Sequence, residues 1–465
     1  MNKQTLSFLD RSCFSFFFMT KKLKELCNKA AEIIHSFPIG TNIRVISHYD
    51  ADGITSAAII CKALFRAKYN FHATLMRNPF DKGLERVSKE KNDLIIFCDM
   101  GSSQIDTIEK MNCKSIIVDH HQYIVEKTKK DNVFQINANL CDINGNYEAC
   151  GATLTYCLSK ALDSKNTDLV YLALTGVMGD KQYIGDIRGY NKEIVDEAKK
   201  EKLIIEKTEI KLYGETLSDA LYYSIDPYYS GLSGNRLAIS NLLEKLNLKK
   251  DINFKDLNDE QKKRLQSYLM LILIKKDCEK NILDTIIRPR YYYDDTDFEF
   301  ERFADLLDAC GKGGNRGLGF SVAMGDKEDF NKAIQLEKDY KQKILEELLK
   351  LEKNGFIEKN GFRYFYSNDS SLGGVIGGIA TNYIFDSKKP LLSIVKKDDE
   401  LHISCRGNQG LVEKGLDLGF AMKESANRLG GHGGGHKIAA GATIVSDKEE
   451  EFIILVDEII VKQLK

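Results

Sequence analysis

Tryptophan is absent from these 465 residues, while Lys and Ile are plentiful, a balance compatible with an AT-rich genome or a thermophile. No Cys-x-x-Cys pair occurs, and the eleven cysteines are odd in number and scattered singly. That argues against a zinc ribbon and a secreted disulfide framework, and for thiols acting as small apolar groups in a reducing cytoplasm. Net charge is nearly missing too: the formal value is −1, with acids and bases interspersed. Such a chain is no basic nucleic-acid coat, so any contact with nucleic acid needs a local positive stripe. Long apolar runs are lacking as well, none approaching the roughly 20 residues of a membrane span. The short run Phe14–Phe18 follows Asp10 and Arg11 and precedes no small-residue cleavage site. Residues 1–20 are therefore read as a dispensable extension, with Met19 an alternative start.

The length suggests two or three domains, each able to build its own core. Leu23, Leu26, Ala30 and Ile34 recur at helical spacing and predict a lead-in helix. The β-branched run Ile43–Ile46 predicts a buried strand, and the segment from Ile54 to Ala63 a helix packed on it. Further strands are expected over residues 71–76, 94–98, 116–118 and 133–136. Strands alternating with helices imply an α/β domain with a parallel sheet, and such sheets bind ligands beyond the carboxyl ends of their strands.

Polar clusters stand at those ends. His48, Asp50 and Asp52 follow the first strand, Asp99 another, and Asp119-His120-His121 a third, while Asp180 follows the apolar stretch 169–178. Asp-Ala-Asp-Gly is also found in calcium loops, but that template fails: His48 takes the first ligand position and Ile59 the place of the bidentate Glu. Only eight histidines occur, and five of them (His48, His120, His121, His432 and His436) lie in the polar motifs, a concentration that core packing does not explain. Mixed imidazole and carboxylate donors favour Mn²⁺, with Mg²⁺ an alternative, over thiolate-seeking metals. Two such ions about 3.5–4 Å apart can hold the entering oxygen and a phosphoryl oxygen together. A pair of this kind needs a bridging carboxylate, and Asp99 is the candidate.

The middle of the chain says less. Residues 203–220 and 260–276 read as helices, and Tyr291–Asp297 as a surface loop or edge. Cys310-Gly311-Lys312-Gly313-Gly314-Asn315-Arg316-Gly317 fails as a P-loop, since no Ser or Thr follows the Gly-Lys pair. Two readings stay open: a glycine loop turning Lys312 and Arg316 toward a phosphate, or a plain glycine-rich turn. Phe330, Ile334, Tyr340, Ile344, Leu348 and Leu351 lie near one helical face and predict a connector helix. Beyond it, Ser404 and Arg406 share one face of a strand. Gly430-Gly431-His432-Gly433-Gly434-Gly435-His436 reads as a glycine-rich loop that offers backbone N–H groups and imidazoles to an anion.

His48-x-Asp50-x-Asp52-Gly53, Asp99, Asp119-His120-His121 and Asp180, in this order and approximate spacing, resemble the DHH phosphoesterase superfamily and its archaeal RecJ-like members. His48 stands where bacterial RecJ members tend to have Asp. The resemblance implies that His48, Asp50, Asp52, Asp99, His120 and Asp180 ligate two divalent cations. It places His121 close to the substrate phosphate and Asp119 behind it as an orienting partner. The segment from Phe303 to Gly325 also resembles archaeal RecJ-like nucleases. The later motifs resemble the DHH-associated C-terminal domain, which implies that Ser404, Arg406, His432, Gly434, Gly435 and His436 bind substrate across a cleft. The expected organisation is then a DHH α/β domain over 21–184, a helical middle region over 185–325, a connector helix over 326–355 and a mixed α/β substrate domain over 356–465. The implied activity is exonucleolytic hydrolysis of single-stranded DNA or RNA. Two alternatives accompany it: a small-substrate relative acting on short oligonucleotides or phosphoadenosine phosphate, and a replication component that binds a GINS-like complex.

Overall fold

The computed structural model describes residues 20–77, 82–122, 131–294 and 296–465. Residues 1–19, which carry most of the expected extension, lie outside the described residues. The chain divides into two compact units: residues up to Thr208 together with Pro289–Glu337, and Glu209–Arg288 together with Lys338–Lys465.

In the first unit the lead-in helix spans residues 20–35. Five parallel strands follow: β1 (Asn42–His48), β2 (Asn70–Met76), β3 (Leu94–Cys98), β4 (Lys114–Asp119) and β5 (Val133–Asn137), in the order β2-β1-β3-β4-β5. Strands β1, β3 and β4 are nearly continuous apolar runs because both faces of the sheet are covered. Ile43, Val45, Leu94, Ile96 and Val118 pack with helices Ala51–Arg66, Gly151–Leu162 and Val170–Gly179 on one side. Ile46, Ile95, Phe97 and Ile117 pack with Leu84, Val87 and Ile108 on the other. The strand order reverses between β1 and β3, and in doubly wound sheets the crevice at that reversal is where ligands bind.

The second unit holds a six-stranded mixed sheet of β8 (Ile357–Glu358), β9 (Arg363–Tyr366), β10 (Leu391–Lys397), β11 (Glu400–Arg406), β12 (His432–Gly435) and β13 (Ala439–Val445), in the order β12-β13-β11-β10-β9-β8. Only β9 and β10 are parallel neighbours. Phe365 and Leu391 face helix Gly373–Tyr383 and the helical residues of the middle region. Tyr364, Leu392, Ile403 and Cys405 face helices Leu418–Arg428 and Glu449–Gln463.

The connector is a 28-residue helix, Lys327–Asn354. One middle expectation is corrected. Residues 203–220 are not one helix: β6 (Ile204–Ile210) is followed by the short helix Leu217–Tyr222, because Ile204 and Ile210 bury their side chains from an extended chain paired with β7 (Ile287–Tyr293). Tyr291–Asp297, expected as a surface loop or edge, starts in the edge strand β7, where Tyr291 and Tyr292 are buried with Lys199 and Lys207 over their rings. No described helix is long and apolar enough to cross a membrane. The described cysteines are unpaired thiols, most of them buried.

One close approach inside the first unit sets a test. Helix Phe300–Lys312 runs so near the β1 turn that a Cβ on Gly311 would lie 1.9 Å from the Tyr49 carbonyl oxygen. Gly311→Ala is expected to cost about 1–3 kcal/mol in urea unfolding. Gly317→Ala, where the space is open, should leave the midpoint unchanged or slightly higher.

Candidate metal centre

The first polar cluster is shaped by its turn. Asp50 caps helix Ala51–Arg66, accepting from Gly53 N at 3.1 Å, and Gly53 lets the turn close on His48, whose carbonyl a Cβ would meet at 2.4 Å. Asp52, in the first helical turn, is buried and accepts from Gly151 N at 2.7 Å and Ala152 N at 2.8 Å. It thus also holds the N-terminus of the neighbouring helix, where a carboxylate is favoured.

Asp99 follows β3 with a left-handed backbone (φ +56), which aims its buried carboxylate between two imidazoles. Its Oδ1 lies 3.1 Å from His120 Nε2 and its Oδ2 3.5 Å from His48 Nδ1. His48 Nδ1 is also 2.8 Å from Asp50 Oδ2, and His120 Nε2 stands 3.8 Å from Asp52 and 3.6 Å from Asp180. Despite these distances His48 Nδ1, His120 Nε2 and Asp99 Oδ1 form no hydrogen bond.

The donors fall into three overlapping groups: His48, Asp50 and Asp99; Asp52, His120 and Asp180; Asp99, His120 and His121. Imidazole nitrogens and carboxylate oxygens converging at these distances without hydrogen-bond geometry suit divalent cations. The donor set of carboxylates and imidazoles, free of thiolate, suits Mn²⁺ or Mg²⁺. Asp99 belongs to two of the groups, as a bridging carboxylate must.

Neighbours fix the triplet. Asp119 Oδ1 accepts from the backbone N–H groups of His120 at 2.8 Å and His121 at 3.1 Å and lies 2.8 Å from His121 Nδ1; its Oδ2 accepts from Ser102 N at 3.0 Å. His120 Nδ1 lies 2.6 Å from the Gly145 carbonyl, so it carries the proton and leaves Nε2 as the donor atom toward the carboxylates. Gln182, buried, gives its amide to Gly145 O, Ala149 O and Asp180 Oδ2.

The sequence reading passed over Gln182, Gly145, Gly151 and Gly176. A Cβ would lie 1.9 Å from His120 O at Gly145, 2.6 Å from Asp99 Cβ at Gly151 and 2.5 Å from Asp52 Oδ1 at Gly176. No local signal marks these glycines, because the atoms that exclude a side chain come from distant segments.

The charges confirm the crowding. Two like charges 4 Å apart repel by roughly 4 kcal/mol at an effective dielectric of about 20. Burial, then Asp99 and Asp180, hold the Asp52 carboxyl well above its ordinary range. Burial also raises Asp180, against the pull of His120. Burial disfavours charge on His48, yet Asp50 and Asp99 outweigh it and push the imidazole up to about 12. Carboxylates outnumber the imidazoles here, and bound cations would take over the balancing of their charge.

The second unit arranges its own set. Ser404 and Arg406 share one face of β11, toward helix Gly373–Tyr383. A Cβ on Gly373 would lie 3.7 Å from Ser404 Oγ, and one on Gly374 2.5 Å from an Arg406 terminal nitrogen. Arg406 Nη1 donates to the Cys405 carbonyl at 2.8 Å. The glycine-histidine run, expected as a loop, is corrected to an edge strand: His432, Gly434 and Gly435 lie in β12, paired with β13, and His436 follows. Its missing side chains let it press on helix Leu418–Arg428, where a Cβ on Gly433 would meet Met422 O at 2.5 Å.

Residues 42–177 match the DHH family, N-terminal domain, and residues 362–462 the DHHA1 domain. An uncharacterized protein of Methanocaldococcus jannaschii is 32% identical over 455 residues, covering 96% of this chain and all of its own. The chain belongs to the DHH phosphoesterase superfamily. This DHH protein shares its fold with CDC45 from Entamoeba histolytica, at TM-score 0.62 and 14% identity over 96% of this chain and 99% of that one. RecJ from Thermus thermophilus in complex with Mn²⁺ gives 0.58 and 16% over 94% of the DHH protein, which spans 55% of that RecJ.

The geometry sets a binding test that needs no substrate. Mn²⁺ at about a hundred times its Kd should stabilise the protein by about 2.7 kcal/mol, read as a rise in Tm that chelator reverses. Asp99→Asn should lose most of that rise while keeping a cooperative melt.

Proposed function

We propose that this DHH protein is a divalent-metal-dependent exonuclease that hydrolyses single-stranded DNA or RNA from an end, with Mn²⁺ the expected ion and Mg²⁺ the alternative. The observation that carries this reading is the position of Asp99, shared between donor groups at the strand-order reversal of a doubly wound sheet. His48, Asp50, Asp52, Asp99, His120 and Asp180 would hold two cations. Bound there, the cations would neutralise phosphoryl charge and make water a better nucleophile at neutral pH.

The chain's own residues do the rest. His121 is half-exposed, with Nδ1 against Asp119, so its other nitrogen is available to a phosphate oxygen. Burial opposes charge on that imidazole, but Asp119 more than offsets it and raises the pKa. His121 can therefore meet the substrate as a cation, with Asp119 orienting it. Ser404, Arg406 and His436 would bind backbone phosphate, Arg406 through its fork of N–H groups, while His432 and the N–H groups of Gly434 and Gly435 add donors.

A second reading is participation in a replication complex of the GINS type, favoured by the fold shared with CDC45. It is compatible with catalysis, since every expected metal ligand is present. A small-substrate phosphoesterase is the other enzyme reading, and the helical residues inserted between Glu209 and Arg288 favour a longer substrate over it.

Digestion of DNA and RNA single strands, labelled at either end and incubated with Mn²⁺, Mg²⁺ or chelator, tests the proposal. Metal-dependent release of mononucleotides from one end is expected, reduced roughly a hundredfold or more in Asp99→Asn. Full activity of that variant would sink the model, and faster turnover of a dinucleotide than of a long strand would move the assignment to the small-substrate enzymes.

A further inference from the structure

The glycine-rich motif Cys310–Gly317 has no place among the donors of the metal centre. In the structure it is the turn between helices Phe300–Lys312 and Arg316–Met324, both in the first unit. The turn is fixed to the segment that carries His48, Asp50 and Asp52. Asp308 Oδ1 accepts from Ala51 N at 2.8 Å, and Gly311 lies against the Tyr49 carbonyl.

Arg316 is the residue this anchoring presents. Its guanidinium carbon is 5.7 Å from the centroid of the Tyr49 ring, and Nη1 is 3.4 Å from the Leu75 carbonyl. Leu75 pairs with Ser47 across β2 and β1, one step before His48. Arg316 therefore stands at the carboxyl end of β1 and β2, on the flank of the metal centre away from β3. Its neighbour Lys312 is tied up in an ion pair with Asp308. Arg316 has no such partner: its Nε is buried without a hydrogen bond, and no carboxylate among the described residues pairs with it. Arginines with structural roles here are matched, Arg44 by Glu90, Arg66 by Asp168, Arg302 by Glu337 and Arg363 by Asp386.

An unmatched guanidinium, held by backbone and ring beside the metal centre, calls for an anionic ligand. We propose that Arg316, backed by Tyr49, binds a backbone phosphate of the substrate strand beside the one that is cleaved. The inference rests on the nuclease reading and adds to it the local positive charge that a chain of net charge −1 must supply. The planar fork suits phosphate oxygens, and the Tyr49 ring leaves a surface on which an adjoining base can stack.

The test measures binding apart from cleavage, by fluorescence anisotropy of a labelled single strand on full-length Asp99→Asn protein with Mn²⁺ present. Adding Arg316→Met should weaken binding about tenfold and lower the slope of log affinity against log salt by about 0.7. Arg316→Lys, which keeps the charge and loses the same packing, should recover most of the affinity. Equal weakening by Met and Lys would assign Arg316 a packing role and overturn the inference, as would unchanged affinity and slope in Arg316→Met. If neither the Asp99→Asn parent nor the unsubstituted protein binds or cleaves a single strand, the nuclease reading itself falls, and the Arg316 assignment with it. A parent that binds, with an Arg316→Met variant indistinguishable from it, removes the Arg316 assignment alone.

Discussion

Asp99 is held with φ +56 at the end of a fully buried strand, between His48 on one side and His120 on the other. Around it Asp50, Asp52 and Asp180 bring further negative charge into a partly buried site. Such a cluster is costly to assemble unless cations enter it. The surrounding structure can be understood as the means of keeping these carboxylates together: helix N-termini that accept Asp50 and Asp52, an amide from Gln182 on Asp180, and backbone N–H groups on Asp119.

Close packing is the second requirement. Gly53, Gly145, Gly151, Gly176 and Gly311 sit where a single methyl group would collide with a ligand side chain or with the backbone beside one. Their bare backbones let segments far apart in the chain converge within a few ångströms. The same device recurs independently in the second unit, where Gly373 and Gly374 bring a helix against Ser404 and Arg406, and Gly433 brings an edge strand against Met422. In both units glycine serves approach of backbone to a functional side chain more than turn formation.

The parallel sheet, its strand ends and the donor residues behind them were legible in the sequence, because buried parallel strands are continuous apolar runs and a polar residue just past one is conspicuous. Asp119 was read as an orienting partner from the resemblance; in the structure it accepts from the backbone N–H groups of Ser102, His120 and His121 and lies beside His121 Nδ1. Two expectations failed for one physical reason: an isolated segment does not reveal its neighbour. Residues 204–210 looked helical until β7 was there to pair with them, and the glycine-histidine run looked like a loop until β13 and helix Leu418–Arg428 were there to hold it extended.

The sequence by itself determined the family, the α/β class and the identity of the candidate metal donors, since these follow from local hydrophobic runs and from residue types at fixed spacing. Only the tertiary structure decided which donors share a position, that Asp52 also holds the helix at Gly151, that Pro289–Glu337 returns to the first unit, and that the glycine turn sets Arg316 beside Tyr49. Each of these joins segments far apart in the chain, and local patterns carry no information about distance between such segments.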